Sequence, residues 1–398
     1  MIRPCIIVLF DIIALIILLW RRIPLWIVFL IIASLTALAY SGLHGLLKVY
    51  YQVSIEKSTW DLVVIMFLIS IFVSLYRGTG FIDKLSNELT LLFKKPRIVL
   101  MFVPAILGLL PVPGGALMSA PVVDRVGDQL GLDRVKKLFI NVWFRHVIFV
   151  VYPLSTVLIM TAILTNTDLW MLINRQIPIA LAMIMIGYFI GFPRKGLDKG
   201  SVVEGVVDKI VLLKTFSPII VTITIALSTS KILDYRYPLP LNRLSMVLAV
   251  STGIVLLMIF SNQGIRQLVN IIRSREVVEL TLIGYGAMLL RGAFNLLDLS
   301  CITTYLPLEN PLLLIVAIPI FFSLIAGVIS SSIALSISII TSITSVGVEA
   351  ASLIYLSAFM GYLGSPLHLC YIYTAQYLKT SIVKGYKYMV PAILITLT

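Results

Sequence analysis

The residues best suited to chemistry in this chain are polar side chains set inside long apolar stretches. Arg145 and His146 are adjacent within the apolar stretch 138–164. A charge in such a stretch normally faces a partner or a cavity; a guanidinium suits a carboxylate, and an imidazole can carry protons. Both residues are therefore candidates for binding a small anion. The structural alternatives are that Arg145 locks the fold against Asp61 or a helix end, or extends to the membrane surface, and that His146 only packs.

A second group of candidates lies where prolines and glycines interrupt an apolar region. The segment 109–121, LLPVPGGALMSAP, contains three prolines and two adjacent glycines, which leave backbone groups without helical partners. In lipid, such backbone is tolerated only where protein or a water-filled cavity surrounds it, as at the solute sites of transporters with discontinuous helices. The alternative is a turn between two ordinary spans. The candidate binding residues here are Pro113, Gly114, Gly115 and Ser119.

The second half of the chain carries two comparable groups. A serine triplet offers hydroxyls that could donate to an anion or accept around a cation, and a Gly-Ser-Pro-Leu-His segment is a clear helix break. Small residues are also favoured where membrane helices pack closely, so packing is the alternative for the serines. The candidate binding residues are Ser330, Ser331, Ser332, Gly364, Ser365, Pro366 and His368.

The composition is that of a membrane protein. The 398 residues are 60% hydrophobic and only 12% charged, the mean hydropathy is +1.06, and runs of about 20 apolar residues recur. The net charge of +13 lies in short loops, which fits a lipid bilayer surface better than nucleic acid. We therefore predict an all-α polytopic membrane protein without a nucleic-acid partner.

The first apolar run and the three cysteines each allow one local prediction. The first apolar run, 5–20, is interrupted by Asp11 and closed by Arg21 and Arg22, so we predict a retained span rather than a cleaved signal peptide. The three cysteines lack CxxC spacing, which predicts neither a disulfide framework nor a zinc site.

The chain divides into two similar halves, an N-terminal repeat 1–200 and a C-terminal repeat 201–398. We predict that each half has five transmembrane helices, one of which is broken, and one re-entrant hairpin. The hairpins fall at about 98–124 and 311–345, and the broken helices at about 138–164 and 350–378. Matching residues recur at offsets of 213 to 215, which indicates a duplication. The matches are Arg77-Gly78 with Arg291-Gly292, Pro104 with Pro319, Pro153-Leu154 with Pro366-Leu367, and Thr161-Ala162 with Thr374-Ala375.

Orientation follows from the loops between the spans. Because five crossings is an odd number, the second copy must lie inverted relative to the first. Most lysines and arginines fall on the side of the connector 77–97 and the linker 193–209, and this side should be cytoplasmic. Both termini are then predicted outside.

At the segments LLPVPGGALMSAPVVD and MGYLGSPLHLC, the chain resembles a family of uncharacterised prokaryotic membrane proteins in the ion transporter superfamily, which includes gluconate, citrate and dicarboxylate permeases. The resemblance implies inverted repeats, a scaffold with a mobile transport domain, a homodimer, and a midplane site at the hairpin tips and breaks. Neither tip carries the Ser-Asn-Thr motif of characterised dicarboxylate members, so sodium-coupled dicarboxylate transport is not implied.

Together these features predict a secondary active transporter, or permease, of a small organic anion in the cell membrane, with an elevator-type alternating-access mechanism. Na⁺ or H⁺ would be the coupling ion, and no other cofactor or metal is expected. No HExxH, GxSxG or Walker A pattern is found in the sequence, so an enzyme is not expected. One alternative is a cation/proton antiporter using Asp11 or Asp61, and another is a non-transporting membrane enzyme or assembly factor.

Overall fold

The computed structural model describes residues 2–109, 115–193, 205–236, 243–297 and 311–398, and within these ranges it contains helices and no β-strand. The all-α prediction is confirmed for this part of the chain. The α-helices are α1 Ile2–Trp20, α2 Leu25–Ile55, α3 Lys57–Gly78, α4 Phe81–Leu92, α5 Pro96–Gly108, α6 Ala116–Gln129, α7 Arg134–Val147, α8 Thr156–Leu164, α9 Leu169–Gly191, α10 Lys209–Arg236, α11 Leu244–Ser261, α12 Ile265–Ile272, α13 Arg275–Phe294, α14 Pro311–Ala326, α15 Ile329–Ile343, α16 Val348–Gly364, α17 Leu369–Tyr377 and α18 Ile382–Leu397.

Within the described ranges, seven helical segments are long and apolar enough to cross a membrane. Large apolar side chains are exposed on the outside of several helices, for example Trp20, Leu43 and Phe189. Extensive apolar exposure is unusual for a protein surrounded by water, so these surfaces fit a membrane-embedded protein. The seven segments are Leu25–Ile55, Lys57–Gly78, Leu169–Gly191, Lys209–Ser230, Leu244–Ser261, Arg275–Phe294 and Val348–Tyr377.

Two pairs of consecutive helices pack against each other in the regions where re-entrant hairpins are expected. The helices α5 and α6 pack against each other, and so do α14 and α15. With 13 residues, α5 is about 20 Å long, shorter than the hydrocarbon core of about 30 Å. The tip of the first hairpin, with Pro113 and Gly114, lies outside the described residues. The second hairpin turns at Gly327, whose φ is +62°.

Both predicted broken helices are interrupted. Between α7 and α8 the chain forms a 3-10 turn, Ile148–Val150, and then a non-helical stretch that contains Pro153. Between α16 and α17 it leaves the helix from Ser365 to His368. The second break contacts the second hairpin, because a Cβ at Gly327 would lie only 2.5 Å from the Cβ of Leu367.

The order of helices in the second half follows that of the first. The helices α15, α16, α17 and α18 begin 213 or 214 residues after α6, α7, α8 and α9. The halves also exchange contacts: α6 packs against α17, and α15 packs against α8. Each hairpin therefore supports the broken helix of the other half.

The helices α3 and α13 form an antiparallel pair that is joined near both ends by ion pairs. Arg77, near the end of α3, donates two hydrogen bonds of 2.7 and 3.0 Å to the carboxylate of Glu276 in the first turn of α13. Arg291, in the last turn of α13, lies 3.5 Å from the carboxylate of Glu56, which precedes α3. The pair therefore fixes the relative direction of one helix from each half.

Several details differ from the sequence expectations. The helix α2 is longer than a single span of about 20 residues and is broken at Gly42, with φ +66° and ψ −161°, before it continues to Ile55. The short helix α12 was not expected.

The expectation of unpaired cysteines was wrong for Cys5, which is disulfide-bonded, because tertiary contacts and not local spacing decide such pairing. Cys370 is free and buried.

Replacing Gly327 by Ala should lower the midpoint of thermal unfolding. The added Cβ would meet the backbone and Cβ of Leu367, and a left-handed φ costs a non-glycine residue about 1–2 kcal/mol. Gly78→Ala is the matched control, since Gly78 is helical and its nearest new contact would be 3.7 Å away. Equal midpoints in the two variants, measured in detergent, would contradict the close approach of hairpin and break.

Candidate functional site

Arg145 on α7 is a charged residue whose side chain is fully buried. It interacts electrostatically with Cys370 and Tyr362 from the second half of the chain. Its helix lies very close to α5, because a Cβ at Gly108 would come within 2.3 Å of the Arg145 carbonyl oxygen. The first hairpin and the first broken helix therefore meet at the position of this charge.

Two histidines from different halves meet beside Arg145. The ring centroids of His146 and His368 are 4.8 Å apart at an interplanar angle of 78°. The His368 ring also contacts Tyr362, with 4.0 Å between centroids. The structure thus brings the predicted site residue His368 next to Arg145 and His146, which lie more than 200 positions earlier in the sequence. We refer to Arg145, His146, Tyr362, His368 and Cys370 as the central cluster.

The start of α7 is fixed by polar contacts, and this places Arg145 and His146 three turns further along the helix. The Asp133 carboxylate accepts a hydrogen bond from the Lys136 backbone N–H at 2.8 Å, which is a standard N-terminal cap. The buried ammonium of Lys137 donates to Asp124 and Asp128 of α6, at 2.7 Å in each case. The cap fixes where α7 begins, and the Lys137 contacts hold α7 in register with the first hairpin.

The second break is held in place by Ser365. Its hydroxyl donates to the carbonyl of Leu324 on α14 at 2.7 Å and accepts from the Leu367 backbone N–H at 3.2 Å. His368 then begins α17, and its carbonyl accepts from the N–H groups of Tyr371 and Ile372. Ser365 therefore positions His368, while its own hydroxyl is used within the fold.

The predicted residue Ser119 belongs to a polar network that joins the halves. Its hydroxyl donates to the side-chain oxygen of Asn141 on α7 at 2.6 Å. The Asn141 amide donates in turn to the Ala116 carbonyl at 2.8 Å and to the Thr374 hydroxyl on α17 at 3.0 Å. All three side chains are buried, so this network ties α6, α7 and α17 together next to the central cluster.

The other predicted residues lie at the hairpins and the break. Ser331 and Ser332 are buried, and their hydroxyls donate to the carbonyls of Val328 and Pro319, at 2.8 Å in each case. These bonds lie within the second hairpin and favour the packing interpretation for both serines. Ser330 and Gly364 are half-buried, Pro366 is exposed, and Gly115 is buried just before α6.

Sequence reasoning missed four residues beside these sites: Asn141, Tyr362, Cys370 and Thr374. Asn141 was visible as a polar residue in an apolar stretch, and Thr374 as one of the matches between the halves. No local signal distinguishes Tyr362 or Cys370, because their importance comes only from the approach of α16 and α17 to α7.

A separate cavity of about 790 Å³ opens between α3, the α8–α9 connection, α10 and α11. Its polar lining includes Asp61, Asp168 and Arg243. Arg243 donates to the Thr167 carbonyl at 3.1 Å. None of the predicted anion-site residues lines this cavity, although Asp61 was named as a candidate for the antiporter alternative.

The fold defines an all-helical protein of the membrane-embedded class, with buried polar clusters where its helices break. The chain belongs to the family described as "Protein of unknown function (DUF401)", whose sequence model matches residues 3–398. A comparison with curated proteins finds no match.

Replacing Asn141 by Leu should destabilise the protein, because it leaves the Ala116 carbonyl and the buried Ser119 and Thr374 hydroxyls short of partners. A buried polar group without its partner costs about 1–3 kcal/mol. Thr374→Val alone should cost less, since it removes one of the several bonds. In the double variant the two losses should not add, as is usual for residues in one network. Strictly additive shifts in the thermal unfolding midpoint would show that the network is not coupled.

Proposed function

We propose that this chain is a secondary active transporter of a small organic anion, with the central cluster as the substrate site. The observation that carries the proposal is the burial of the Arg145 guanidinium between the interrupted helices of both halves. A buried charge at membrane depth is costly and is typically retained for function. Arg145 would pair with the substrate carboxylate, and the two histidines and the Tyr362 hydroxyl would supply further polar contacts.

The direction of α3 and α13 supports an inverted repeat. Arg77 and Arg291 are equivalent in the two halves, yet they lie at opposite ends of this antiparallel pair. The recurring order of helices and the reciprocal packing of α6 on α17 and α15 on α8 support the same arrangement. Inverted repeats with discontinuous helices are the plan of many secondary transporters.

An elevator-type mechanism and a homodimer follow from the resemblance to the ion transporter superfamily, whose members carry a mobile transport domain on a dimeric scaffold. The hairpins and broken helices would form that domain. The Ser119–Asn141–Thr374 network and the Gly327–Leu367 contact support their movement as one body. The movement of Na⁺ or H⁺ across the membrane would be coupled to the transport of the anion.

The proposed location is the cell membrane, with both termini outside. Cys5 in the first turn of α1 is disulfide-bonded, and disulfides persist in oxidising compartments, which supports an outside N-terminus. The distribution of basic residues supports the same orientation.

A cation/proton antiporter is the second candidate, favoured by Asp61 at the wall of the 790 Å³ cavity. Asp11 is less suited to this role. Its carboxylate accepts a 2.7 Å hydrogen bond from the buried Thr36 hydroxyl on α2, which indicates a contact between α1 and α2.

A thermal-shift screen of the purified protein against small carboxylates, oxyanions and Na⁺ at two pH values tests the proposal. A ligand that binds only the folded state raises the free energy of unfolding by RT ln(1 + [L]/Kd), and the unfolding midpoint rises with it. One class of carboxylate should stabilise the wild type, and Arg145→Gln should abolish that shift. Arg175→Gln is the control, because Arg175 is exposed and pairs with Glu349 at the surface. An unchanged shift in Arg145→Gln would reject the site.

A shift with Na⁺ or pH alone, lost in Asp61→Asn, would favour the antiporter.

Reporter fusions test the orientation. Alkaline phosphatase, which folds into its active form only outside the cytoplasm, should be active when fused after Thr398 and inactive when fused after Asp208. A fluorescent protein that matures only in the cytoplasm should give the opposite pattern. The reverse result in both reporters would require the opposite orientation.

A further inference from the structure

Three side chains of the central cluster carry metal-binding atoms that face one another. His146 and His368 each offer one ring nitrogen, and Cys370 offers its sulfur. These three atoms lie within 4.8 Å of one another, and all three residues are buried. His146 comes from α7 and the other two from the start of α17. We propose that these residues bind one monovalent soft metal ion, Cu(I), between the two halves of the chain.

The hydrogen bonding of His146 suits a metal ligand. Its Nδ1 lies 2.6 Å from the carbonyl oxygen of Val142, which is satisfied when Nδ1 carries the proton and donates. The lone pair is then on Nε2. Metal-binding histidines commonly donate their second ring N–H to a backbone carbonyl in this way, which fixes the tautomer and the ring orientation.

His368 has a buried ring without a good hydrogen bond. Neither of its nitrogens makes a hydrogen bond of acceptable geometry, although the Leu363 carbonyl is near enough to interact with the ring. Buried polar groups are almost always satisfied, and each exception requires an explanation. A metal ion would supply the missing partner, and the contact with Tyr362 holds the ring in place.

Cys370 completes the set two residues after His368. It is a free thiol, and metal binding converts it to a thiolate: the S–H bond breaks, an S–Cu bond forms, and the proton leaves to solvent. With bonds of about 2.0–2.3 Å to nitrogen and sulfur, three ligands would be separated by roughly 3.5 Å. The widest separation must therefore shrink by about 1 Å, which side-chain rotation supplies.

Charge and ligand number select the ion. Soft thiolate ligands favour Cu(I), whereas structural Zn²⁺ sites have four protein ligands and three-ligand Zn²⁺ sites need a water as the fourth. Cu(I) with one thiolate is neutral, but Zn²⁺ with one thiolate keeps a positive charge next to the Arg145 guanidinium. Like charges in a buried site repel strongly, so a monovalent ion fits this site best. The inference does not rest on anion transport, because it concerns three ligands and not the substrate.

The test uses the full chain in detergent, with Cu(I) maintained by ascorbate and its free concentration set by a chromogenic Cu(I) chelator. We expect wild type to bind one Cu(I) that Ag(I) displaces and Zn²⁺ does not. Cys370→Ser and His368→Gln should each weaken binding at least tenfold. His44→Gln is the control, because this histidine is exposed on α2 and binding should be unchanged.

X-ray absorption at the copper edge gives a second measurement that does not depend on affinity. Wild type should show one sulfur and two nitrogen ligands, and Cys370→Ser should lose the sulfur. Thermal unfolding without copper confirms that each variant is folded. Unchanged affinity in both variants, absence of sulfur in the wild-type spectrum, or equal affinity for Zn²⁺ would overturn the proposal. Carboxylate stabilisation measured without copper tests the transport proposal separately.

Discussion

The structure depends on how an interrupted helix in an apolar environment satisfies its backbone. Every break frees carbonyl and N–H groups that lipid cannot satisfy, and here side chains from neighbouring helices take over. Ser365 bridges the second break to α14, and Asn141 binds the Ala116 carbonyl at the start of α6. The polar residues near the breaks are thus needed first for the fold.

The same constraint explains why the two halves are interdependent. The first hairpin packs against α17 and the second against α8, so each hairpin covers a break that the other half creates. Tyr355 of α16 extends this pattern, since its hydroxyl donates to the Phe149 carbonyl in the first break at 2.9 Å. The central cluster therefore belongs to the interface between the halves, and Arg145 acquires its neighbours only there.

The sequence predicted the class of fold and the positions of the breaks, because these follow from apolar runs, prolines and glycines. Arg145, His146 and His368 were recognised from their rarity in apolar segments, and the structure places them together. Ser331, Ser332 and Ser365 were recognised by the same argument, but their hydroxyls bond to backbone carbonyls. Residue type alone cannot distinguish a hydroxyl that satisfies the fold from one that faces a ligand. Cys370 and the disulfide of Cys5 required tertiary contacts that no local pattern encodes.

Because the central cluster contains residues from both halves, it can form only after both halves have been synthesised. Arg145 and His146 enter the membrane when the first half is made, but Tyr362, His368 and Cys370 emerge from the ribosome more than 200 residues later. During that interval Arg145 lacks these neighbours, and the Asn141 amide lacks the Thr374 hydroxyl. The first half must therefore shield these groups with water, lipid headgroups or a membrane chaperone until α16 and α17 arrive.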